Sequence, residues 1–507
     1  MVETSRLLRG GRLTSVNEGV VKFTSSIESD RRLLKPVIKI NEAHVAMLME
    51  QKIIDWSNGV RLLQALSELE SKMKLKSYLE DVHVAVEEEI NKKVGQEMGG
   101  NLHIAKSRND QVSTAIRMEL RQNLLDLMNS VIKLQEALTK LAGKHLKTVV
   151  PGYTHLHPAQ PITFAHYLLS YMDMLERDSQ RLEETYQRVN LCPMGAGALA
   201  TSSFPINRER VAELLGFSEV LENSIDAVSS RDFILETMAD LTIIAVDVSR
   251  LVEDLILWSS PDFGIIELPD SFSSTSSIMP QKKNPDVLEV IRAKMSHVLG
   301  NFLTSAATIK ALPSSYNMDF QEITPRLWES LENVTGSLDM LSRLVTNLKV
   351  FKNIFSKPFL SFSTSTELAN TLVRKYKVPF RTAHRIVGSL IRRLTEEKLT
   401  FSDVTPELLQ KVIQDSSGFS LNINVKDIHE STDPLKFVES HKARGGPSPT
   451  EVERMLKVRK QWTALSRSNL SKKKLELNEA DDRLQSVGQS YSSSDNASIA
   501  KLKTSNR

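Results

Sequence analysis

A run of hydroxyl, lysine and amide side chains between Ser273 and Asp286 could support chemistry on an anion. A loop of this kind can hold a carboxylate, place a hydroxyl beside a carbon acid and put a cation where negative charge develops. Asn284 suits an N-cap and Pro285 suits the first helical position, so a helix is predicted from Pro285 to about Leu299. Helix N-termini favour anions. The alternative interpretation is a serine-rich surface linker.

Two further polar segments could contribute to the same chemistry. Residues 107–110 have the form of a capping box, which would place Arg108 and Asn109 at the start of a helix. Residues 151–161 are rich in proline and glycine, which predicts an ordered loop. Its His155 and His157 could be a metal pair, a general acid or base, or turn residues. The glycines of 192–198 lack the spacing of a dinucleotide-binding motif.

Long helices must hold these polar segments, because two stretches without proline or glycine carry apolar residues at alternating intervals of four and three. Such a seam is typical of bundled helices. The first seam consists of Leu120, Leu124, Leu127, Val131, Leu134, Leu138 and Leu141. The second consists of Ile234, Met238, Leu241, Ala245, Val248, Val252 and Leu255. An all-α helical bundle is the predicted fold class.

Composition restricts the possible classes of protein. The 507 residues are 40% hydrophobic and 25% charged, as in a globular protein, and the length suggests about three domains. A net charge of +3 does not suggest nucleic-acid binding. The single cysteine, Cys192, excludes an internal disulfide, and the histidines show no metal-ligand spacing. No signal peptide or membrane span is evident, so we expect a cytoplasmic protein without membrane partners.

At least five motifs, in order over about residues 7–465, resemble those of the fumarase/aspartase superfamily. Residues 275–286 look like the signature loop of this superfamily. Within that loop, residues 281–286 resemble the sequence found in the argininosuccinate lyase family, which is one branch of the superfamily. Residues 152–161, 223–232 and 312–322 resemble further motifs of that family. Glu80 to His83 also resembles a family segment, although such a cluster is common on a solvated helix face.

The resemblance implies a three-domain all-α fold with a long central helix bundle, and a homotetramer with a twenty-helix core. The expected divisions are an N-terminal domain at 1–105, the bundle at 106–355, a small helical domain at 356–468 and a disordered tail at 469–507. The implied reaction is reversible β-elimination of argininosuccinate to arginine and fumarate, in active sites shared by three subunits. Neither a metal nor an organic cofactor is expected.

The resemblance also implies individual roles. Ser276 is the expected general base and His155, oriented by Glu289, the candidate general acid. Lys282 and Asn284 would stabilise the developing negative charge. The expected substrate-binding residues are Ser26, Arg108, Asn109, Thr154, Tyr316 and Gln321. Arg231 would lie near the site.

The chain departs from the family pattern in three places. Thr275 replaces a glycine, and Ile104-Ala105-Lys106 stands where Thr-Gly-Arg is usual. Thr324 follows Ile323 where many members have Asp-Lys, whose lysine contacts a substrate carboxylate. That contact is therefore absent, made by Thr324, or supplied by Arg326. The alternative functions are another lyase of the superfamily, acting on adenylosuccinate, aspartate or fumarate, or an inactive crystallin-like structural protein.

Overall fold

The computed structural model of the chain describes residues 12–505, except 14, 16, 70–72, 74 and 76–78. Helices make up 71% of the structure and the strands are few and short, which confirms the predicted all-α class. Within the described residues, no helix combines the length and apolar character that crossing a membrane would require.

The first part of the chain is a set of short helices around one buried helix. The helices are α1 (Glu18–Thr24), α2 (Leu34–Glu50), α3 (Trp56–Leu69), α4 (Val82–Val94) and α5 (Gln96–Gly99), with 3₁₀ turns at Ser29–Leu33 and Gly100–His103. Helix α2 is buried along most of its length because it packs on α3 and on the central bundle.

The central part is a bundle of long helices. Its helices are α6 (Arg108–Lys144), α7 (Phe164–Val189), α8 (Arg208–Leu214), α9 (Ser224–Ser229), α10 (Asp232–Ser259), α11 (Asp286–Ile309) and α12 (Phe320–Thr346). Helix α6 packs against α7 and α12, and α10 packs against α7 and α11. Every residue of the two predicted seams is buried, so both seams are confirmed.

Capping explains where the longest bundle helix begins. The Ser107 hydroxyl accepts the Asn109 N–H at 3.3 Å, and the Asp110 carboxylate accepts the Ser107 N–H at 3.0 Å. These reciprocal bonds form the predicted capping box, which satisfies backbone donors that the first turn of a helix leaves free.

Short strands join the helices. An antiparallel hairpin, β1 (Val149–Thr154) and β2 (His157–Thr163), lies where the sequence predicts an ordered loop. The other pairs are β3 (Leu191–Cys192) with β4 (Glu219–Val220), β5 (Ile266–Glu267) with β8 (Lys349–Val350), and β6 (Ser274–Thr275) with β7 (Lys283–Asn284).

Pairing of β6 with β7 changes the predicted start of the next helix. Asn284 lies opposite Ser274 in this pair, and Pro285 occupies the N-cap position of α11 without a side-chain cap. The helix therefore starts at Asp286 and continues through Gly300 to Ile309, ten residues beyond the predicted end at Leu299.

A small group of helices follows with an apolar core of its own. It contains α13 (Ser365–Tyr376), α14 (Phe380–Glu396), α15 (Pro406–Ser417), α16 (Val425–Thr432) and α17 (Pro434–Ser440), with 3₁₀ turns at Ile354–Ser356, Pro358–Thr364 and Phe401–Asp403.

The final helix corrects the prediction of a disordered tail from residue 469. Helix α18 runs from Pro449 to Ser505 and packs against α2, α3, α6 and α7. Leu470, Ala480 and Leu484 are buried in these contacts, and Arg483 pairs with Glu213 at 3.1 Å. The lysine- and serine-rich composition hides this apolar side, because only a few widely spaced residues make it.

Candidate active site

A narrow pocket lies where the first part of the chain meets the starts of α6 and α12. Its polar lining consists of Ser26, Asp30, Asp81, His83, Arg108, Arg231, Tyr316, Gln321 and Thr324. Its apolar lining consists of Leu33, Val112, Ile116 and Phe320. Four of the six predicted substrate-binding residues meet here, although more than 290 positions of sequence separate the first from the last. The pocket therefore combines charged, polar and apolar side chains in one lining.

Ser26 is held in the pocket by two hydrogen bonds. Its backbone N–H donates to the Glu80 carbonyl at 2.8 Å, and its hydroxyl donates to the Asp30 carboxylate at 2.7 Å. Burial raises the pKa of Asp30 to about 6, against the opposing effect of the Ser26 hydroxyl. A carboxyl group with this pKa can change its charge when a ligand binds.

Arg108 projects from the first turn of α6 and pairs with Asp81 at 2.5 Å. The same Asp81 caps α4 by accepting the Val84 N–H at 2.9 Å. Because this carboxylate is buried and serves both groups, it fixes the Arg108 side chain relative to α4. The pairing also neutralises the charge of Arg108 inside the pocket.

His83 lies in the same wall and is buried beside the Gln111 side chain of α6. Burial lowers its pKa to about 4, so the ring is neutral at physiological pH. The interpretation of residues 80–83 as a solvated helix face is wrong, since Glu80, Asp81 and His83 are all buried. Their resemblance to the family segment was the signal that could have found them.

The start of α6 also meets the glycine-bearing turn at 193–198. The Asp110 carboxylate accepts the Gly195 N–H at 3.1 Å and the Gly197 N–H at 2.8 Å, while the Asn109 amide donates to the Ala198 carbonyl at 3.1 Å. Asn109 does not line the pocket described above. Both glycines have positive φ, a conformation that their lack of a side chain permits. The turn therefore supports Asn109 and α6.

The turn before α6 carries one of the departures from the family pattern. Ala105 has φ +60°, the left-handed region in which glycine is favoured. Lys106 is buried and donates to the Asn41 side chain, and burial lowers its pKa to about 7. Thr275, by contrast, is absent from the positive-φ residues and lies in strand β6, where a β-branched residue fits.

The serine-rich segment forms a hairpin loop between β6 and β7. The Ser276 oxygen accepts the Ile278 N–H at 3.3 Å and the Met279 N–H at 3.1 Å. Asn284 donates to the Ser274 hydroxyl at 3.4 Å, while Lys282 is exposed. Among the described residues, the hydrogen bonds of Ser276 come from backbone N–H groups and none comes from Lys282.

Lys283 attaches this loop to the chain that precedes it. Its ammonium donates to the Leu268 carbonyl at 2.5 Å and to the Asp270 carboxylate at 2.6 Å. These contacts raise the pKa of Lys283, with the Asp270 hydrogen bond as the main cause. Lys283, the neighbour of the predicted catalytic Lys282, therefore holds the base of the loop in place.

The β1–β2 hairpin presents the remaining predicted residues. Thr154 pairs with His157, and the two residues between them, His155 and Leu156, have φ +55° and +60°. Two positive φ values are the mark of a type I′ turn. Thr154 and His155 are exposed at this tip, and Gln160 donates to the Thr366 hydroxyl at 3.2 Å.

Within one chain, the predicted site residues thus form separate groups. No described hydrogen bond or ion pair joins His155 to Glu289, and both side chains are exposed. Neither Ser276 nor His155 lines the pocket that contains Arg108 and Tyr316. Among the described residues, no group of three or more histidine, cysteine or carboxylate side chains is arranged to hold a metal ion.

Thr324 stands at the position where many family members have a lysine that contacts a substrate carboxylate. Thr324 lines the pocket, and its hydroxyl donates to the Phe320 carbonyl at 3.2 Å within α12. Arg326 is exposed and lies 3.7 Å from Glu329 on the same helix. Thr324 and Arg326 are the two candidates for the contact with the substrate carboxylate. Thr324 lines the pocket and Arg326 does not.

Comparisons with known proteins agree over most of the chain. A family model described as lyase matches residues 15–300, and one described as argininosuccinate lyase C-terminal matches residues 362–439. The argininosuccinate lyase of Methanocaldococcus jannaschii is 45% identical over 458 residues, which cover 89% of this chain and 93% of that protein. The argininosuccinate lyase of Methanococcus vannielii is 41% identical over 484 residues, covering 94% and 99%.

Solved structures share the architecture. EDDS lyase in complex with formate is 29% identical, with a TM-score of 0.86 over 96% of this chain and 98% of that one. A fumarate lyase from Mesorhizobium sp. BNC1 is 18% identical, with a TM-score of 0.68 over 85% and 98%, and shares the fold.

Proposed function

The chain belongs to the argininosuccinate lyase family, and from this premise we propose that it cleaves argininosuccinate reversibly into arginine and fumarate. The observation that carries the activity is the 45% identity to an argininosuccinate lyase over 89% of the chain. The pocket that contains Ser26, Arg108, Tyr316 and Gln321 supports it, because Asp30 and Arg231 lie in the same lining and a substrate with carboxylates and a guanidinium needs charged partners of both signs.

The reaction breaks a C–N bond by β-elimination. A base removes a proton from the carbon next to a carboxylate, the electrons of that C–H bond move into the carboxylate to give an aci-carboxylate, and the guanidino nitrogen then leaves with its bonding pair. As the nitrogen leaves, the aci-carboxylate electrons form the C=C bond of fumarate, and an acid protonates the departing nitrogen, so the second product is arginine with its charged guanidinium side chain.

Ser276 is the proposed base. A serine hydroxyl is a poor base unless its alkoxide is stabilised. The N–H groups of Ile278 and Met279 point at the Ser276 oxygen and would favour the negative form. Lys282 and the N-terminus of α11 would add positive potential, and Lys282 with Asn284 would stabilise the aci-carboxylate.

His155 is the proposed acid, with Glu289 as its orienting carboxylate. A carboxylate partner keeps an imidazole protonated and aligned. Thr154 and Asn109 would bind substrate beside it. Since these residues belong to separate groups in one chain, we propose that three subunits of a homotetramer contribute to each active site.

The exposed side chains of the bundle support this assembly. Ile243, Val246, Val290, Leu299 and Leu303 are exposed on α10 and α11, and Leu303 is 70% exposed. Apolar side chains of this number on two adjacent helices are typical of a surface that another chain covers. A tetramer with a twenty-helix core, a cytoplasmic location and the predicted domain limits at 105 and 355 remain part of the proposal.

Fumarate absorbance after addition of argininosuccinate tests the activity, with Ser276→Ala as the variant and Ser277→Ala as the matched control. We expect Ser276→Ala to lower kcat by about 10³-fold, which is within the range for losing a positioned base. Equal losses in both serine variants would contradict the assignment of the base. Fumarate from adenylosuccinate or aspartate alone would identify another lyase, and no product from any of the three would support a structural protein.

Subunit sharing has a separate test. Inactive Ser276→Ala and His155→Ala proteins are mixed, dissociated and reassociated, and fumarate formation is measured again. Recovery of activity is expected, because some mixed tetramers contain sites with both residues intact. Absence of recovery in reassembled tetramers would place both residues in one subunit.

A further inference from the structure

Arg231 is a buried cation in the pocket with part of its guanidinium unused. It immediately precedes helix α10, is 2% exposed and lines the pocket together with Tyr316 and Phe320. The guanidinium lies over the Phe320 ring, 4.5 Å from its centroid. Its Nη1 donates to the Ser230 carbonyl at 2.7 Å and to the Val228 carbonyl at 3.2 Å.

The other two nitrogens, Nε and Nη2, are buried and have no hydrogen-bond partner among the described residues. These two atoms lie on one edge of the guanidinium, the edge that presents two parallel N–H groups to a carboxylate. Nη1 anchors the side chain by its opposite edge. The free edge is therefore both fixed in direction and suited to a two-oxygen anion.

The charge of Arg231 is also uncompensated. No carboxylate among the described residues forms an ion pair with it, whereas the other arginine of the pocket, Arg108, is paired with Asp81. Burial, together with the neighbouring charge of Arg117, lowers the pKa of Arg231 to about 10, so it stays protonated near neutral pH. A buried, charged and unpaired group is costly unless an anion completes the site.

The departure at Thr324 leaves room for this role. Thr324 lines the same pocket, but its hydroxyl donates its hydrogen bond to the Phe320 carbonyl. Arg326 is exposed near Glu329. Neither brings a positive charge to the pocket. Arg231 is thus the cation of this pocket that no described carboxylate neutralises.

We propose that Arg231 binds a substrate carboxylate through Nε and Nη2, supplying the cationic contact that the lysine usual after the family's Gln-Glu would make. The inference rests on the proposed function for the identity of the substrate. Arg231 is assigned to binding and not to proton transfer, since a guanidinium does not give up its proton in proteins.

Equilibrium binding in an inactive background tests the assignment. Argininosuccinate is titrated by calorimetry into Ser276→Ala, Ser276→Ala/Arg231→Met and the control Ser276→Ala/Arg326→Met. We expect Arg231→Met to weaken binding by about 10- to 100-fold, the effect of losing a charge-assisted bidentate bond, and Arg326→Met to change it by less than about threefold. Equal affinity with and without Arg231 would overturn the proposal.

A rescue separates binding from folding. Adding Thr324→Lys to the Arg231→Met protein returns a cation to the pocket from α12, so part of the lost affinity should return. Far-ultraviolet circular dichroism and the melting temperature report whether each variant is folded. If Arg231→Met does not fold, Arg231→Lys is used, and it should bind more weakly than arginine because lysine lacks the paired N–H edge. Unchanged affinity in Arg231→Lys would also overturn the proposal.

Failure of the proposed function gives a different result. A folded Ser276→Ala protein that does not bind argininosuccinate would contradict the substrate assignment, and the same comparison is then made with succinate as the probe. Loss of succinate binding in Arg231→Met would still support a carboxylate site, and equal succinate binding would refute it.

Discussion

Replacing Ala105 by glycine should stabilise the folded chain. Ala105 has φ +60°, and a residue with a Cβ atom pays roughly 1–2 kcal/mol in this left-handed conformation. Glycine adopts it freely but loses about 0.5–1 kcal/mol more conformational entropy on folding than alanine. The difference predicts that the free energy of unfolding rises by about 0.5–1 kcal/mol.

Thr275 provides the matched control, since it is the other position where glycine is usual in the family. It lies in strand β6 and is absent from the positive-φ residues, so Thr275→Gly should give no gain. Ala464 is exposed within helix α18, and Ala464→Gly should lower the free energy of unfolding by about 1 kcal/mol. The free energy of unfolding is therefore expected to rise for Ala105→Gly, not to rise for Thr275→Gly and to fall for Ala464→Gly.

Urea unfolding at one fixed protein concentration, followed by circular dichroism, measures these differences, because concentration affects the apparent stability of any oligomer. A rise of the urea midpoint for Ala105→Gly, with no rise for Thr275→Gly, is the expected result. A lower midpoint for Ala105→Gly would refute the reasoning, since it would mean that the methyl group contributes more than the backbone conformation costs.

Three other substitutions test separate features. Burial is the main cause that raises the pKa of Asp178 to about 7. The folded chain therefore holds this proton more tightly than the unfolded chain does, and the free energy of unfolding should fall as pH rises from about 4 to 7. Asp178→Asn should remove this loss and raise the free energy of unfolding by roughly 2 kcal/mol at pH 8 but not at pH 4, as measured by urea unfolding. Leu484→Ala should lower the free energy of unfolding by about 2–4 kcal/mol, because the Leu484 side chain of α18 is buried. The control Leu475→Ala should lower it by less than about 0.5 kcal/mol, because Leu475 is exposed on the same helix. Equal losses in the two variants would contradict the packing of α18. Lys283→Met should loosen the loop that holds Ser276 and lower kcat by about 10-fold without changing the melting temperature, and an unchanged kcat would show that the Lys283 contacts do not position the loop.

Several features of the fold could be predicted because they depend on neighbours along the chain. The four-three seams of α6 and α10 require one apolar side, and all of their residues are buried. The capping box at Ser107 needs only two residues three positions apart. The helix after the serine-rich loop was predicted one residue early, because Asn284 pairs with Ser274 instead of capping the helix.

Other features could not be predicted because they depend on partners far away in sequence. Helix α18 is held by Leu470 and Leu484, which are too widely spaced to stand out in a charged, serine-rich segment. Residues 80–83 are buried and Asp81 pairs with Arg108 of α6, a long-range contact that local composition does not reveal. The free edge of Arg231 becomes apparent only when every neighbouring donor and acceptor is known.

Periodicity, capping and motif spacing are local properties of the chain, so they are enough to predict the helical class, the long bundle helices, the family and the polar segments that carry the candidate chemistry. Which of those segments meet depends on how the helices pack. The packing joined Ser26, Arg108 and Tyr316 in one pocket and left Ser276 and His155 on separate hairpins. The physical reason is that such contacts arise from packing between distant helices, whose energy depends on which surfaces face each other and not on the order of residues along the chain.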